Sequence, residues 1–399
     1  MDKLSLSDLP LDGKKVIMRV DFNVPLNKDG SIADDARIRS ALPSIQYVLQ
    51  HNAALILMSH LGRPKGKEDP KLSLGVCAKR LSELLQQTVD FVKDSIGPKV
   101  EEKAKALKPG QVLMLENLRF HDAEEHPDKD LSFAKNLAKL ADFYVNDAFG
   151  TAHRKHASTY TIAKYFSGKA ATGFLIQKEI EFLGKAINNP KRPFYAILGG
   201  AKVSTKLKVI NNLLELVDAL FIGGAMAFTF FKAQNIAVGK SLVEDDQIEN
   251  VKKMLQKAKK LNKPLYLPLD IVIADQFSTE SNQKTIDIKE GIEKGWQGMD
   301  CGPKTIEEWK QKLSDAQTIF WNGPLGVFEM PCFAKGTEAI ARIIACLPAT
   351  TIVGGGDSLS AINHLQLQNQ FTHLSTGGGA SLEYIEQKSL PGIEALSDK

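Results

Sequence analysis

The chain has 399 residues, a length that favours two domains of ordinary size over a single core. It is 43% hydrophobic and 25% charged, and no run approaches the roughly 20 apolar residues of a membrane span, so we expect no membrane partner. The net charge of +4 is too small to indicate a nucleic-acid partner, which would require a strongly basic stripe.

The cysteines and the first ten residues of the chain indicate the cellular compartment of the protein. The chain has four cysteines, none of them in CxxC spacing, which fits a reducing environment. The first ten residues alternate polar and apolar side chains and do not resemble a secretory signal. We therefore expect a cytoplasmic protein.

Short apolar runs with β-branched and aromatic residues recur in the first half of the chain, at intervals long enough for a helix. They are apolar almost throughout, which is typical of strands buried on both faces of a parallel sheet. The predicted strands are 16–22, 54–60, 89–92, 112–118 and 143–148.

The next segment has the spacing of an amphipathic helix, with apolar residues at Ile176, Ile180, Leu183 and Ile187. Two prolines within residues 188–193 prevent the helix from continuing. No flexible Gly/Ser linker is present, so we predict that residues 173–189 form a hinge helix between two domains.

The strand pattern resumes in the second half, and the predicted fold is α/β, with two doubly wound parallel-sheet (Rossmann-like) domains at 1–172 and 190–379. Nearly every polar or glycine-rich motif directly follows a strand, where open α/β sheets bind their ligands. If the two edges face each other, the site is a cleft between the domains. The predicted strands are 194–200, 219–224, 264–268, 318–323, 350–356 and 372–378.

Arginine and histidine mark the loops of the first half. A lone arginine is usually a surface residue, but several at one sheet edge would bind phosphate and carboxylate groups. Nearby histidines add donors that could be cationic near an anion. Asp21 and Asn23 either orient the arginines or accept substrate hydroxyls, although a turn role remains open. The basic residues are Arg37, Arg63, Arg119, Arg154, His60, His153 and His156.

Lysine and glycine mark the loops of the second half. In LGGAKVSTK, Lys202 and Lys206 are four residues apart, so we predict that they project from one helix face beside exposed N–H groups and bind an anion. An exposed amphipathic helix with solvated lysines is the alternative. Asp357 in GGGDS suits Mg²⁺, or else an N-cap.

Two further motifs favour a nucleotide. Glycines 377–379 in STGGGA would let backbone amides approach an anion closely. Glu329 is a ribose hydroxyl acceptor or a solvated carboxylate. No complete P-loop or GxGxxG fingerprint is present, which disfavours an NAD-dependent dehydrogenase. A non-catalytic anion-binding or scaffolding protein is the other alternative.

Seven motifs, taken in order, resemble those of the phosphoglycerate kinase family and extend over essentially the whole chain. They are RVDFNVP, SHLGRP, ENLRF, LGGAKV, WNGPLG, GGGDS and STGGGA. The resemblance implies reversible phosphoryl transfer from 1,3-bisphosphoglycerate to MgADP, giving 3-phosphoglycerate and MgATP in glycolysis. It implies direct in-line transfer after domain closure, with Mg²⁺ as cofactor and ATP or ADP as co-substrate. We also expect a monomer.

The same resemblance implies roles for individual residues, and a return of residues 380–399 to the N-terminal domain. Arg37, Lys202, Gly356 and Gly379 would be catalytic, and Asp357 would bind the metal. The glycerate substrate would contact Asp21, Phe22, Asn23, Arg37, His60, Leu61, Gly62, Arg63, Arg119 and Arg154. The nucleotide would contact Lys206, Gly224, Gly298, Glu329, Gly355, Gly356, Asp357 and Ser358.

Overall fold

Strands with apolar side chains on both faces build a parallel sheet in the first part of the chain. In β1 (Lys15–Arg19), Val16 and Met18 pack into one hydrophobic cluster and Ile17 into another. This computed structural model describes residues 2–399, apart from the side chain of Ile187. The remaining strands are β2 (Ala54–Met58), β3 (Val89–Val92), β4 (Val112–Leu115), β5 (Phe143–Asn146) and β6 (Ala170–Thr172), and the sheet order is β3-β4-β2-β1-β5-β6.

Helices connect these strands and cover the sheet. In α1, Ile38, Ala41, Ile45 and Val48 are buried, one turn apart, in the same cluster as Val16. The helices are α1 (Ala36–Gln50), α2 (Gly75–Leu85), α3 (Pro98–Ala106), α4 (Asp122–Glu125) and α5 (Leu131–Ala138).

Helix α6 (Phe174–Asn188) leads out of this first sheet, and the division of the chain into two compact units falls inside it. Unit 1 comprises Glu181 and the described residues before it, together with Ser389–Lys399; unit 2 is Phe182–Lys388. On α6, Ile176 and Leu183 are buried and Ile180 is half-buried, whereas the side chain of Ile187 lies outside the described residues.

Unit 2 repeats the architecture with a second parallel sheet of order β15-β14-β13-β7-β8-β9. Across residues 2–399 the two parallel sheets have six strands each, which confirms the predicted fold class. The strands are β7 (Phe194–Leu198), β8 (Ala219–Ile222), β9 (Leu265–Tyr266), β13 (Thr318–Asn322), β14 (Thr350–Gly354) and β15 (His373–Ser375). The helices are α7 (Leu207–Leu216), α8 (Met226–Ala233), α9 (Ile248–Lys260), α10 (Pro303–Leu313), α11 (Lys335–Ala345), α12 (Gly356–His364) and α13 (Gly379–Gln387).

An additional antiparallel sheet in unit 2 was not predicted. Its order is β11-β10-β12, formed by β10 (Asp270–Ala274), β11 (Gln283–Asp287) and β12 (Gln297–Cys301). The short strand β6 was also missed. Strands β6, β11 and β12 lack the apolar runs on which the strand predictions rested, whereas β10 contains such a run at residues 271–274 and could have been predicted.

The chain returns to unit 1 later than expected. Helix α13 packs against α7 in unit 2, so residues 380–388 stay there. From Ser389 onward the chain lies in unit 1, where α14 (Pro391–Glu394) follows and Leu390, Ile393 and Leu396 are buried. Asn146 Nδ2 donates to the carbonyl of Gly392 at 3.1 Å, which ties this segment to the end of β5.

Candidate functional site

In unit 1 the predicted polar residues follow the carboxyl ends of neighbouring parallel strands. Asp21 follows β1, His60 follows β2, Arg119 follows β4 and Arg154 follows β5. Arg37 lies in the first turn of α1. Because parallel strands end at the same edge, the fold brings these residues to one side of the sheet.

Asp21 links Arg37 to His60. Arg37 NH1 donates to the Asp21 carboxylate, and the Nδ1 atom of His60 lies 3.9 Å from Asp21 Oδ1. The Asp21 side chain is 9% exposed, whereas that of Arg37 is 33% exposed. Asp21 therefore holds the guanidinium at the surface, where it can reach a ligand.

A second contact set joins Asn23, Gly62 and Arg119. The backbone N–H of Gly62 donates to Asn23 Oδ1 at 2.8 Å, and Arg119 NH1 donates to the Gly62 carbonyl at 2.9 Å. The side chains of Phe22 and Leu61 are buried in the core beside them. These two residues can reach a ligand only through their backbone.

Arg119 and Arg154 share one carboxylate. Arg119 Nε lies 3.2 Å from Glu125 Oε1, and Arg154 NH1 lies 4.0 Å from the same oxygen. Arg63 is exposed, without an ion pair anywhere in the described part of the chain. Three guanidinium groups thus approach this edge, and their forks suit a phosphate.

Burial disfavours the cationic form of the three histidines at this site. Burial lowers the pKa of His60 well below its usual value, and the charges of Arg19 and Arg119 lower it further. Burial also lowers the pKa of His153 to about 4 and that of His156 to about 3, again with neighbouring arginine charges contributing. The desolvation cost of an imidazolium is the physical reason.

Sequence reasoning missed the polar groups beneath the site. Arg19 is fully buried and contacts Ser158 and His60, while Glu124 is fully buried and accepts from Ser158. An arginine between the apolar residues Met18 and Val20 was the available signal, because buried charges require partners.

In unit 2, glycines let the loops after β7, β8 and β13 pack backbone to backbone. A Cβ atom at Gly199 would overlap the carbonyl of Pro324, and one at Gly224 would overlap the backbone of Gly200. Gly224 also has φ +66°, a conformation that favours glycine. The loops therefore bring unshielded backbone groups together at the edge of this sheet.

Lys202 and Lys206 do not share a helix face, so that prediction was wrong. Helix α7 begins only at Leu207, after a 3-10 turn over Ser204–Lys206. Lys206 is buried, and its Nζ donates to the Gly199 carbonyl at 2.6 Å and to Asn322 Oδ1 at 2.7 Å. Lys202, before the turn, is exposed.

Burial changes the acid–base properties of Lys206. Desolvation lowers its pKa to about 8, and the negative charge of Asp357 partly opposes this effect. Asp357 lies in the first turn of α12 and is exposed. The two side chains therefore place a cation and an anion beside the start of α12.

A cavity of about 460 Å³ opens beside these residues, and four of the residues predicted to bind nucleotide line it: Gly224, Gly298, Glu329 and Asp357. Its walls are mostly apolar, with Phe228, Leu242, Phe277, Ile271, Met299 and Leu325. Flat apolar ligands with a few polar groups suit such a cavity.

Asp300 in the cavity wall was not predicted. It is 3% exposed and accepts from the backbone N–H groups of Cys301 at 2.9 Å and Gly336 at 2.7 Å. Burial raises its pKa to about 7 despite these hydrogen bonds. Its position depends on the antiparallel sheet, which sequence periodicity did not reveal.

The glycine motifs stand at helix starts. Gly355, with φ +99°, precedes α12, and Gly378 precedes α13, which begins at Gly379. A Cβ at Gly356 or Gly379 would meet nothing within 4 Å, so the space beside both is open. Ser358 differs, because it is buried and its Oγ accepts from Gly323 N at 2.7 Å.

Asp357 meets the requirement for a magnesium site. In the part of the chain that the structure describes, no group of three or more His, Cys, Asp or Glu could hold a metal alone. Mg²⁺ usually keeps several waters and is bound through one or two carboxylates plus substrate phosphates. One exposed carboxylate at a glycine-rich helix start, near Lys206, could hold Mg²⁺ in that way.

The comparisons with known proteins agree with this geometry. A family model described as phosphoglycerate kinase matches residues 6–388. The chain is 53% identical to phosphoglycerate kinase of Moorella thermoacetica and 51% identical to that of Pseudothermotoga lettingae, with complete coverage of each pair. The solved structure of phosphoglycerate kinase from Coxiella burnetii matches with a TM-score of 0.87 at 40% identity, covering 98% of both chains.

A second solved structure, of phosphoglycerate kinase from Pyrococcus horikoshii OT3, matches with a TM-score of 0.85 at 34% identity, again covering 98% of both chains. Neither the dehydrogenase nor the scaffolding alternative is favoured by these matches. No helix in residues 2–399 has the length and apolarity that crossing a membrane requires. The chain therefore belongs to the phosphoglycerate kinase family and is a kinase that transfers a phosphoryl group reversibly in glycolysis.

Proposed function

We propose that each unit binds one reactant, with phosphoglycerate or 1,3-bisphosphoglycerate in unit 1 and MgADP or MgATP in unit 2. The observation that carries the assignment is the difference between the two sheet edges. Unit 1 gathers guanidinium groups around Asp21 and Glu125, whereas unit 2 offers an apolar cavity beside glycine-rich helix starts. Guanidinium groups suit a small acid, and the cavity suits a base with its phosphates.

In unit 1, Arg63, Arg119 and Arg154 bind the phosphate that is not transferred. Arg119 and Arg154 already share Glu125, so a phosphate offers them a second, bidentate partner. The glycerate part lies against Asp21, Asn23, His60 and the backbone of Phe22, Leu61 and Gly62.

In unit 2, the adenine lies in the cavity bordered by Gly224 and Gly298, with Glu329 at the ribose. Lys206, Gly355 and Gly356 bind the nucleotide phosphates, and the buried side chain of Ser358 supports this site by fixing the turn at Gly323. Asp357 holds Mg²⁺, which neutralises phosphate charge when it is bound.

No general base is required. The attacking group is a carboxylate in one direction and a nucleotide phosphate in the other, and both are already anionic. The transfer requires that the attacking and leaving groups are aligned and that the charge on the equatorial oxygens of the transferring phosphoryl group is neutralised. Arg37 and Lys202 supply cations, and the open backbone at Gly356 and Gly379 supplies N–H donors.

Direct transfer requires that the reactants meet with water excluded, so we propose that α6 acts as a hinge during closure. Small-angle scattering tests this step: the ternary mixture should be more compact than the free protein, and an unchanged radius of gyration would contradict it. We further propose that the protein acts as a cytoplasmic monomer on small molecules alone.

The decisive experiment is a coupled assay of ATP formation from ADP and 1,3-bisphosphoglycerate. We expect activity that requires a divalent cation and is lost in Asp357→Ala. Asp246→Ala, at an exposed carboxylate of unit 2 outside the cavity, is the matched control. Full activity of Asp357→Ala would contradict the metal assignment.

A further inference from the structure

A chain of polar groups lies buried beneath the unit 1 site and consists of Glu124, Ser158, Arg19 and His60, which we name the buried relay. Arg19 and Glu124 are fully buried, and His60 is 3% exposed. Arg19 extends from β1 towards both neighbours: Nε donates to Ser158 Oγ at 2.9 Å, and NH2 lies 3.1 Å from His60 Nδ1.

The donor capacity of arginine fixes the proton of the imidazole. A guanidinium has five N–H donors and no acceptor, so Nδ1 of His60 must accept the hydrogen bond from Arg19. A neutral imidazole that accepts at Nδ1 carries its proton on Nε2. We propose that Arg19 is a positioning residue that holds His60 as a neutral imidazole with an Nε2–H donor, a role that rests on the proposed binding of phosphoglycerate at His60.

The rest of the buried relay holds Arg19 in place. Ser158 Oγ donates to Glu124 Oε1 at 2.6 Å, which leaves its lone pairs to accept from Arg19 Nε. Ser158 N donates to Glu124 Oε2 at 3.0 Å. Arg19 thus donates in two directions, through Ser158 to Glu124 on one side and to His60 on the other, and the Glu124 carboxylate compensates the buried guanidinium charge.

The groups around His60 favour the same state. Asp21 Oδ1 lies 3.9 Å from His60 Nδ1, which is too far for a competing hydrogen bond. The remaining groups are cations or a histidine held neutral, and they oppose a second proton on the ring. The charged and titratable groups that act on His60 are Asp21, Arg19, Arg37, Arg119 and His156.

For substrate recognition, the consequence is that His60 offers a fixed, uncharged hydrogen-bond donor among the arginine cations of this site. An Nε2–H group can hydrogen-bond a carboxylate or hydroxyl oxygen of the glycerate without taking up a proton. Substrate affinity should therefore show no contribution from His60 titration between about pH 6 and 8.

Nitrogen NMR of the full-length protein labelled at histidine tests the state directly, with His60→Gln identifying the signals. We expect protonated Nε2 and unprotonated Nδ1 in the free protein, unchanged between about pH 6 and 8. A protonated Nδ1, or a titrating ring, overturns the proposal. This result is independent of turnover, so it is distinguishable from a failure of the proposed phosphoglycerate site.

Ser158→Ala tests the relay and retains Arg19. We expect the chemical shifts of the two ring nitrogens of His60 to move towards the average of the two tautomers. We also expect KM for 3-phosphoglycerate to rise by about tenfold, because one hydrogen bond to a charged ligand is misdirected, with kcat and KM for MgATP nearly unchanged. Ser95→Ala is the matched control, because Ser95 is also fully buried but its hydroxyl donates to the Glu116 carbonyl, outside the buried relay. Unchanged His60 signals in Ser158→Ala would overturn the role of the relay.

Discussion

Arg80 contacts Asp35 with two nitrogens, Nε at 2.9 Å and NH2 at 2.8 Å from the same carboxylate oxygen. Arg80 belongs to α2, and Asp35 immediately precedes α1, two residues before Arg37. Asp35 makes no side-chain cap bond to α1. The start of the helix that carries Arg37 is therefore held by a contact to another helix.

We predict that Arg80→Met lowers kcat about three- to tenfold with little change in stability, because exposed ion pairs contribute little to folding. Steady-state kinetics and urea denaturation measure the two effects. Arg39→Met is the matched control: Arg39 also bonds Asp35, at 2.8 Å, but from within α1. Equal kcat values for the two variants would contradict a role of Arg80 in positioning Arg37. The role would also be contradicted if Arg80→Met lowered kcat by the same factor in a protein that already carries Arg37→Ala.

Arg37→Ala should reduce kcat by about 10³- to 10⁵-fold, or about 4 to 7 kcal/mol of barrier, since a transferring phosphoryl group loses a cation. Binding of MgADP, measured by calorimetry, should be nearly unchanged. Arg63→Ala is the comparison, and we expect it to act mainly on KM for 3-phosphoglycerate. A turnover number of Arg37→Ala close to that of the unmodified protein would remove Arg37 from the catalytic group.

Binding of MgADP should take up protons above about pH 8. Burial lowers the pKa of Lys206 to about 8, and nucleotide phosphates will raise it again because they favour the charged amine. Above the lowered pKa, free Lys206 is largely neutral and must gain a proton on binding, so affinity falls as pH rises. Calorimetry at about pH 8.5 in buffers of different ionisation enthalpy measures the uptake. Lys206→Arg, always charged, should show none; equal uptake in both proteins would exclude Lys206 as the source.

His156→Gln should make stability less sensitive to acid. Burial lowers the pKa of folded His156 to about 3 from its ordinary value of 6.5, so between these values the unfolded chain binds a proton that the folded chain does not. The unfolding free energy therefore falls as pH falls through this window, by up to about 1.4 kcal/mol per pH unit for one group. Urea denaturation at several pH values should give a shallower slope for His156→Gln. His126→Gln, on a ring that is 55% exposed, controls for the loss of a histidine, and matching slopes for the two variants would refute the assignment.

Gly298→Ala should weaken nucleotide binding selectively. A Cβ at Gly298 would overlap the buried ring of Phe228, which also lines the cavity, so the ring must shift. We expect a loss of about 1 to 3 kcal/mol in stability and a lower affinity for MgADP, with phosphoglycerate binding retained. At Gly75, by contrast, an added Cβ meets only ordinary contacts, and Gly75→Ala serves as the control. Undiminished MgADP affinity in Gly298→Ala would show that the cavity tolerates the shift.

The fold was predictable where burial on both faces leaves a continuous apolar run, as in β2 and β8. The antiparallel sheet was not, because β11 is a largely exposed Gln-Lys-Thr-Ile-Asp segment that pairs through its backbone. A strand stabilised mainly by ladder hydrogen bonds has no periodic apolar signal. The same reason accounts for the missed Asp300, which this sheet positions.

The site was predictable as a set of residue types and chain positions, but not as a set of contacts. Spacing placed Lys202 and Lys206 on one helix, whereas the turn before α7 buries one and exposes the other. Likewise, no local rule joins Arg19 to Glu124 across more than a hundred residues. Such pairings depend on which strands become neighbours, and sequence spacing does not contain that information.

The late return of the chain to unit 1 has a consequence for biosynthesis. Leu390, Ile393 and Leu396 fill positions in unit 1, yet the ribosome translates them after all of unit 2. These positions of unit 1 therefore remain unfilled while unit 2 emerges from the ribosome and can fold. During that interval a chaperone could recognise the exposed apolar surface of the nascent unit.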